Sequence, residues 1–192
     1  MGYLLQAQHV GTVPGLTDQN SGSCRQVATM FPACPRDWRW VGQRGYPGYG
    51  QPLPRSELVF RTHPDAGGEA LAGVESWARV WGTAKGWAMW RAVPPSGYVA
   101  LGDVFHYNYP PDCEDTFTNY ACVRADCVQP VAVGAELWNG NGTGARARAS
   151  MWIIQDGTDN MWQRFRVQPD HGPPRYPVHA LDPDVVEVID QA

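Results

Sequence analysis

Lysine is almost missing from this chain of 192 residues: Lys85 is the only one. Charged residues make up 18%, and 15 basic side chains face 19 acidic ones, for a net charge of −4. That balance excludes a broad phosphate-binding face, so no nucleic-acid partner is expected. Long apolar runs are absent too. Nothing approaches the roughly 20 apolar residues of a transmembrane segment. The opening Met1-Gly2-Tyr3-Leu4-Leu5-Gln6 has neither the basic region nor the apolar core of a signal peptide. The expectation is a soluble cytoplasmic protein, or one secreted by a route without a conventional signal peptide. Catalytic signatures are also missing. There is no serine elbow, no His-Glu-x-x-His, no Cys-x-x-Cys pair and no phosphate loop.

Cysteine is sparse and odd in number: Cys24, Cys34, Cys113, Cys122 and Cys127. An odd count leaves one thiol over in any disulfide framework. Cys24 and Cys34 flank a Pro-rich loop and are one candidate pair. Cys113, Cys122 and Cys127 hold candidates for another. The alternative is five reduced, partly buried thiols.

What is abundant is punctuation. With Gly 21 and Pro 17, the chain favours many short elements joined by turns. Alternating patterns at Asp37-Trp38-Arg39-Trp40, Glu57 to Arg61, Met151 to Ile154 and Trp162 to Val167 read as strands. Asn139-Gly140-Asn141-Gly142 is the strongest hairpin signal. Val185 to Ile189 reads as a final strand or a terminal helical turn. Ala66 to Trp81 is the exception. Leu71, Val74, Ala78 and Trp81 recur at helical steps and predict one short helix, against three glycines that weaken it. Val80-Trp81 with Met89-Trp90 matches Leu137-Trp138 with Met151-Trp152, which implies a repeat of about 60 residues. The expected fold is all-β: repeated Greek-key-like sheets forming a β-prism or a β-sandwich, with little helix. It is read as one domain with an irregular segment over 1–35 and units over 36–80, 81–137 and 138–192.

The run Met89-Trp90-Arg91-Ala92-Val93-Pro94-Pro95-Ser96-Gly97-Tyr98-Val99-Ala100-Leu101-Gly102-Asp103-Val104 centres on a rigid Pro-Pro corner. With Cys122-Val123-Arg124-Ala125-Asp126, it resembles the repeat of the vacuolar-protein-sorting sixty-two-like family. Ala92 stands where that repeat has a proline, and Cys127 where it has a leucine. The resemblance implies a β-rich domain and brings no catalytic residues with it.

Nine tryptophans raise the question of which are free. The repeat spacing places Trp81, Trp90, Trp138 and Trp152 in the core and leaves Trp38, Trp40, Trp87 and Trp162 freer. The most suggestive loop is His106-Tyr107-Asn108-Tyr109-Pro110-Pro111-Asp112-Cys113-Glu114-Asp115. Flat phenol faces beside carboxylates suit sugar hydroxyls. The oxygen donors suit calcium if any metal, but they lack the alternation of a calcium loop, so no cofactor is expected. Tyr107, Asn108, Tyr109, Asp112, Asp115 and Trp87 are the candidate ligand contacts. Asp103 and Asp126 read as buried corner-fixing carboxylates. The leading expectation is a non-enzymatic, lectin-like or toxin-accessory module recognising a glycan, a protein segment or a membrane surface. The alternative is an enzyme or small-molecule-binding protein using His106 with Asp103 and nearby carboxylates.

Overall fold

A computed structural model describes residues 2–19, 21–49, 56–84, 86–154 and 164–189; the side chains of Asp115 and Thr116 fall outside that description. The fold is all-β. Its only α-helix among the described residues is the single turn α1 (Asp115–Thr118).

Three units share one plan. The first holds β1 (Leu5–Val10), β2 (Thr12–Thr17), β3 (Val27–Pro32), β4 (Arg44–Pro47) and β5 (Glu57–Thr62). The second holds β6 (Leu71–Ala72), β7 (Ser76–Gly82), β8 (Trp87–Val93), β9 (Tyr98–Val99), β10 (Val104–Tyr107) and β11 (Cys122–Arg124). The third holds β12 (Val128–Val131), β13 (Val133–Asn139), β14 (Ser150–Ile154), β15 (Arg164–Gln168) and β16 (Val178–Leu181). Each unit folds its middle strands into a three-stranded antiparallel sheet: β2-β3-β4, β7-β8-β10 and β13-β14-β15. Each then pairs its first strand with its last: β1 with β5, β6 with β11, β12 with β16. The third sheet strand starts at residues 44, 104 and 164, a recurrence of 60. The last strand, β17 (Val186–Val188), runs parallel to β1 and closes the set.

Two cores lie between the units. One draws on all three sheets: Val27, Trp81, Met89, Phe105, Trp138, Met151 and Phe165. The other draws on the closing pairs: Leu5, Phe60, Val123, Leu181 and Val186. Three three-stranded sheets thus contribute to one core. Each buried Phe in these cores stabilises the fold by roughly 1.5–3 kcal/mol.

The units meet at a close approach that only glycine permits. A Cβ on Gly42 would lie 2.7 Å from the Gly102 Cα, and one on Gly102 would lie 2.9 Å from the Gly42 Cα. Acceptors beside these glycines then tie one unit to the next. The Phe105 N–H donates to Gln43 Oε1 at 2.8 Å, and the Val167 N–H donates to Asp103 Oδ2 at 2.7 Å.

Several expectations are corrected. Residues 1–35 are not irregular: they carry β1, β2 and β3. The unit edges also differ from the expected division, because β7 and β13 cross the boundaries at 80/81 and 137/138. Tryptophan spacing tracks the middle of each unit, whereas the short outer strands carry few aromatics. The helix over Ala66–Trp81 is instead β6 and β7. Gly67 and Gly68 take φ of 66° and 146°, which stops a helix. A bulge between Arg79 and Trp81 then shifts the two-residue alternation by one. Trp77 and Trp81 therefore face opposite sides of β7 and pack in different clusters, and Ala78, between them, is exposed, so the helical spacing marks no single buried face. The Asn-Gly hairpin joins β13 to β14, but through a loop over 140–149 rather than a two-residue turn.

Trp38 and Trp40 are not free; they are 7% and 0% exposed. Arg39 exchanges backbone hydrogen bonds with Phe60, and the Ala121 N–H donates to the Trp40 carbonyl. Neighbouring elements therefore wrap both indoles. Trp81, Trp90 and Trp138 are buried as expected, Trp152 is half-buried, and Trp162 lies outside the described residues. Asp126 is exposed rather than buried, with Arg124 Nε at 2.7 Å. All five cysteines are free thiols.

Candidate functional site

The site grows from the end of β10. His106 stands opposite Ala88 on β8, and this small neighbour leaves room for an imidazole that is 3% exposed. The Trp90 indole N–H donates to the Tyr107 carbonyl at 2.9 Å and anchors the strand end. Beyond it the chain turns through Pro110 into a 3-10 turn, Pro111–Cys113, and then α1. The far end is pinned to the first unit: the Trp40 N–H donates to the Asn119 carbonyl at 3.0 Å. Phe117 of α1 packs against Trp40 at 5.6 Å and over His106 at 4.7 Å between ring centroids.

Tyr107 and Tyr109 are both 43% exposed. Their rings lie 5.8 Å apart and within 19° of parallel. The Tyr109 hydroxyl donates to Glu114 Oε1 at 2.5 Å. That bond to a carboxylate pushes the phenol up to about 12, so Tyr109 stays a neutral donor.

A cavity of about 170 Å³ opens beside the pair. Leu16, Phe31, Phe105 and Phe117 form its apolar wall. His106, Gln43 and Glu114 supply its polar groups, but Gln43 Oε1 already holds the Phe105 N–H. His106 Nε2 is buried and has no hydrogen-bond partner among the described residues. Glu114 Oε1 lies 3.7 Å from it, beyond hydrogen-bond reach. Burial lowers the imidazole's pKa, with Glu114 opposing in part. The neutral ring thus presents an unused nitrogen beside a carboxylate. One hydroxyl fits that gap, accepting from one group and donating to the other.

The other sequence candidates are dispersed. Asn108 is exposed in the turn. Asp112 is exposed on the 3-10 turn, with the Cys113 thiol 3.9 Å away. Asp115 opens α1, and its side chain lies outside the described residues. Trp87 pairs in register with Tyr107 and is half-buried against the Trp81 and Met89 core, outside the lining of the cavity. Asp103 is fully buried and saturated: Arg91 reaches it at 2.8 and 3.0 Å, Arg166 at 2.9 Å, and the Val167 N–H at 2.7 Å. It therefore serves as the corner-fixing carboxylate and is not joined to His106 as an acid–base pair. Among the described residues, no group of three or more His, Cys, Asp or Glu side chains is placed to hold a metal, and no helix is long and apolar enough to cross a membrane.

Sequence reasoning missed Phe31, Gln43 and Leu16, which come from the first unit. It quoted Glu114 within the loop but did not single it out. Only the tyrosines and His106 announce themselves locally, by being contiguous.

No family model matches the chain, and no curated protein matches it. Among solved structures, the crystal structure of GNIP1Aa from Chromobacterium piscinae has the same fold, with a TM-score of 0.81 and 25% identity over 97% of this chain. The chain spans 38% of the length of that one.

Proposed function

We propose that this chain is a non-enzymatic binding module that recognises a neutral glycan at the end of its second unit. One observation carries the reading. Two parallel, exposed tyrosine rings, of which Tyr107 lines the cavity, stand beside a buried imidazole whose Nε2 has no hydrogen-bond partner among the described residues and lies 3.7 Å from a carboxylate. Aromatic faces receive the apolar side of a sugar ring. A donor–acceptor pair in a mostly apolar pocket fixes one hydroxyl and sets orientation. The saturation of Asp103 removes one of the carboxylates that the enzyme reading gave His106 and leaves Glu114 as the one beside it. The likeness of Met89 to Val104, with Cys122 to Asp126, to vacuolar-protein-sorting sixty-two-like repeats also supports a β-rich module without catalytic residues. The net charge of −4 favours neutral or cationic ligands over nucleic acid.

A glycan array identifies the ligand, and the double variant Tyr107→Ala with Tyr109→Ala tests the site. Binding should be abolished, while stability changes by no more than about 1–2 kcal/mol, since exposed positions tolerate substitution. Unchanged binding would show that the loop is only a connector.

A further inference from the structure

The cavity beside His106 is smaller than it should be. Sites for small ligands run to about 300–1,000 Å³, and this one holds about 170 Å³. It does not end there. Phe31, which walls it, also walls a second and larger groove of about 420 Å³. That groove runs over Val13, Pro32, Ala33, Cys34 and Asn119. Together the two fall inside the range for a complete site. Val13 and Phe31 are direct cross-strand partners on β2 and β3, so the groove floor is rigid sheet.

The chemistry of the second groove is uniform: its walls carry no charge. The Cys34 thiol donates to the Trp38 carbonyl at 3.1 Å, and burial pushes its pKa up to about 12, so it stays protonated. Asn119 Oδ1 accepts from the Arg39 guanidinium at 3.2 Å. That bond fixes the amide and leaves its NH₂ to donate. Phe31 itself is braced by Trp40, stacked at 6.1 Å and 24°. An uncharged, partly apolar trough with a fixed amide donor suits a neutral chain rich in hydroxyls.

We infer that the ligand is an oligosaccharide bound across Phe31, with one sugar at Tyr107, Tyr109 and His106 and further sugars over Val13, Cys34 and Asn119. This rests on the glycan reading above. Calorimetric titration with cello- and chito-oligosaccharides of one to six units tests it. In at least one ladder, affinity should rise about tenfold or more between one and three units and then level off. Val13→Trp, which fills the groove from an exposed strand position, and Asn119→Ala should each lower the trimer's affinity by about fivefold or more. Equal affinity for one unit and for three would overturn the extended site and leave the glycan reading standing. A length gain that survives in both variants would overturn it as well. No binding at any length would overturn both readings together.

Discussion

His106 is a buried imidazole held neutral, and that has a consequence in pH. Its folded-state pKa lies below the ordinary 6.5 because burial opposes the charged form. As pH falls through 6.5, the unfolded chain takes up a proton that the folded chain resists. Stability present above that pH is therefore lost below it. Glu114, 3.7 Å away, softens the loss without reversing its direction. Urea midpoints measured from pH 7 to pH 5 should fall, and His106→Gln should flatten the fall. Parallel declines in the two proteins would place the titration elsewhere. Asp103 gives a sharper contrast. Asp103→Asn removes the charge facing Arg91 and Arg166 in the interior and should cost about 3–5 kcal/mol. Asp126→Asn, which breaks an exposed pair, should cost no more than about 1 kcal/mol. Similar urea midpoints for the two variants would contradict the burial assigned to each.

At the scale of elements, the meeting of the units is the sensitive point. Gly102→Ala drives a Cβ against the Gly42 backbone at 2.9 Å, and neither backbone can rotate away as a flexible side chain would. It should lower the thermal midpoint clearly, by about 1–3 kcal/mol of overpacking. Gly73→Ala adds its Cβ to open space and should be close to neutral. The sequence separates them in part: Gly102 stands in the repeat-like run before Asp103, and Gly73 lies outside it. What the sequence does display is local. The Gly and Pro density and the alternating runs announce short strands. The Tyr107–Tyr109 pair stands in one loop, so half of the candidate site is legible. The rest depends on residues far apart in the chain. Phe31 and Gln43 reach the cavity from the first unit, and Arg166 reaches Asp103 across 63 residues. Helical spacing over Leu71 to Trp81 misleads because it runs across β6, the turn after it and a bulged β7, and neither a short strand end nor a bulge leaves a compositional mark.

For the whole molecule, closure depends on the short strand β17. It runs beside β1, with Leu5 opposite Val186, and it brings Val185 and Val186 into the core at 1% and 6% exposure. A chain ending at Leu181 loses both. Two buried valines at roughly 1.5–3 kcal/mol each should lower the melting temperature by roughly 10 °C or more. A melting curve unchanged by this truncation would show that the three units hold together without β17.

The pairing of β1 with β17 also bears on the order of the units. These two strands lie about one strand spacing apart, close to 4.8 Å. Among the described residues, every other pair of named strands keeps its partners within one unit, and one isolated bridge, Trp40 to Tyr120, crosses from the first unit to the second. Energetically the three units form a cycle, and the polypeptide is that cycle cut at a single place. The cut lies where a sheet rung, rather than a peptide bond, joins neighbours. A short linker across it would allow the cut to move to the stretch Pro64–Gly68 between β5 and β6, exposed apart from Ala66, without removing a strand pair. Which unit comes first is thus a property of the chain's connectivity, and the packing is indifferent to it.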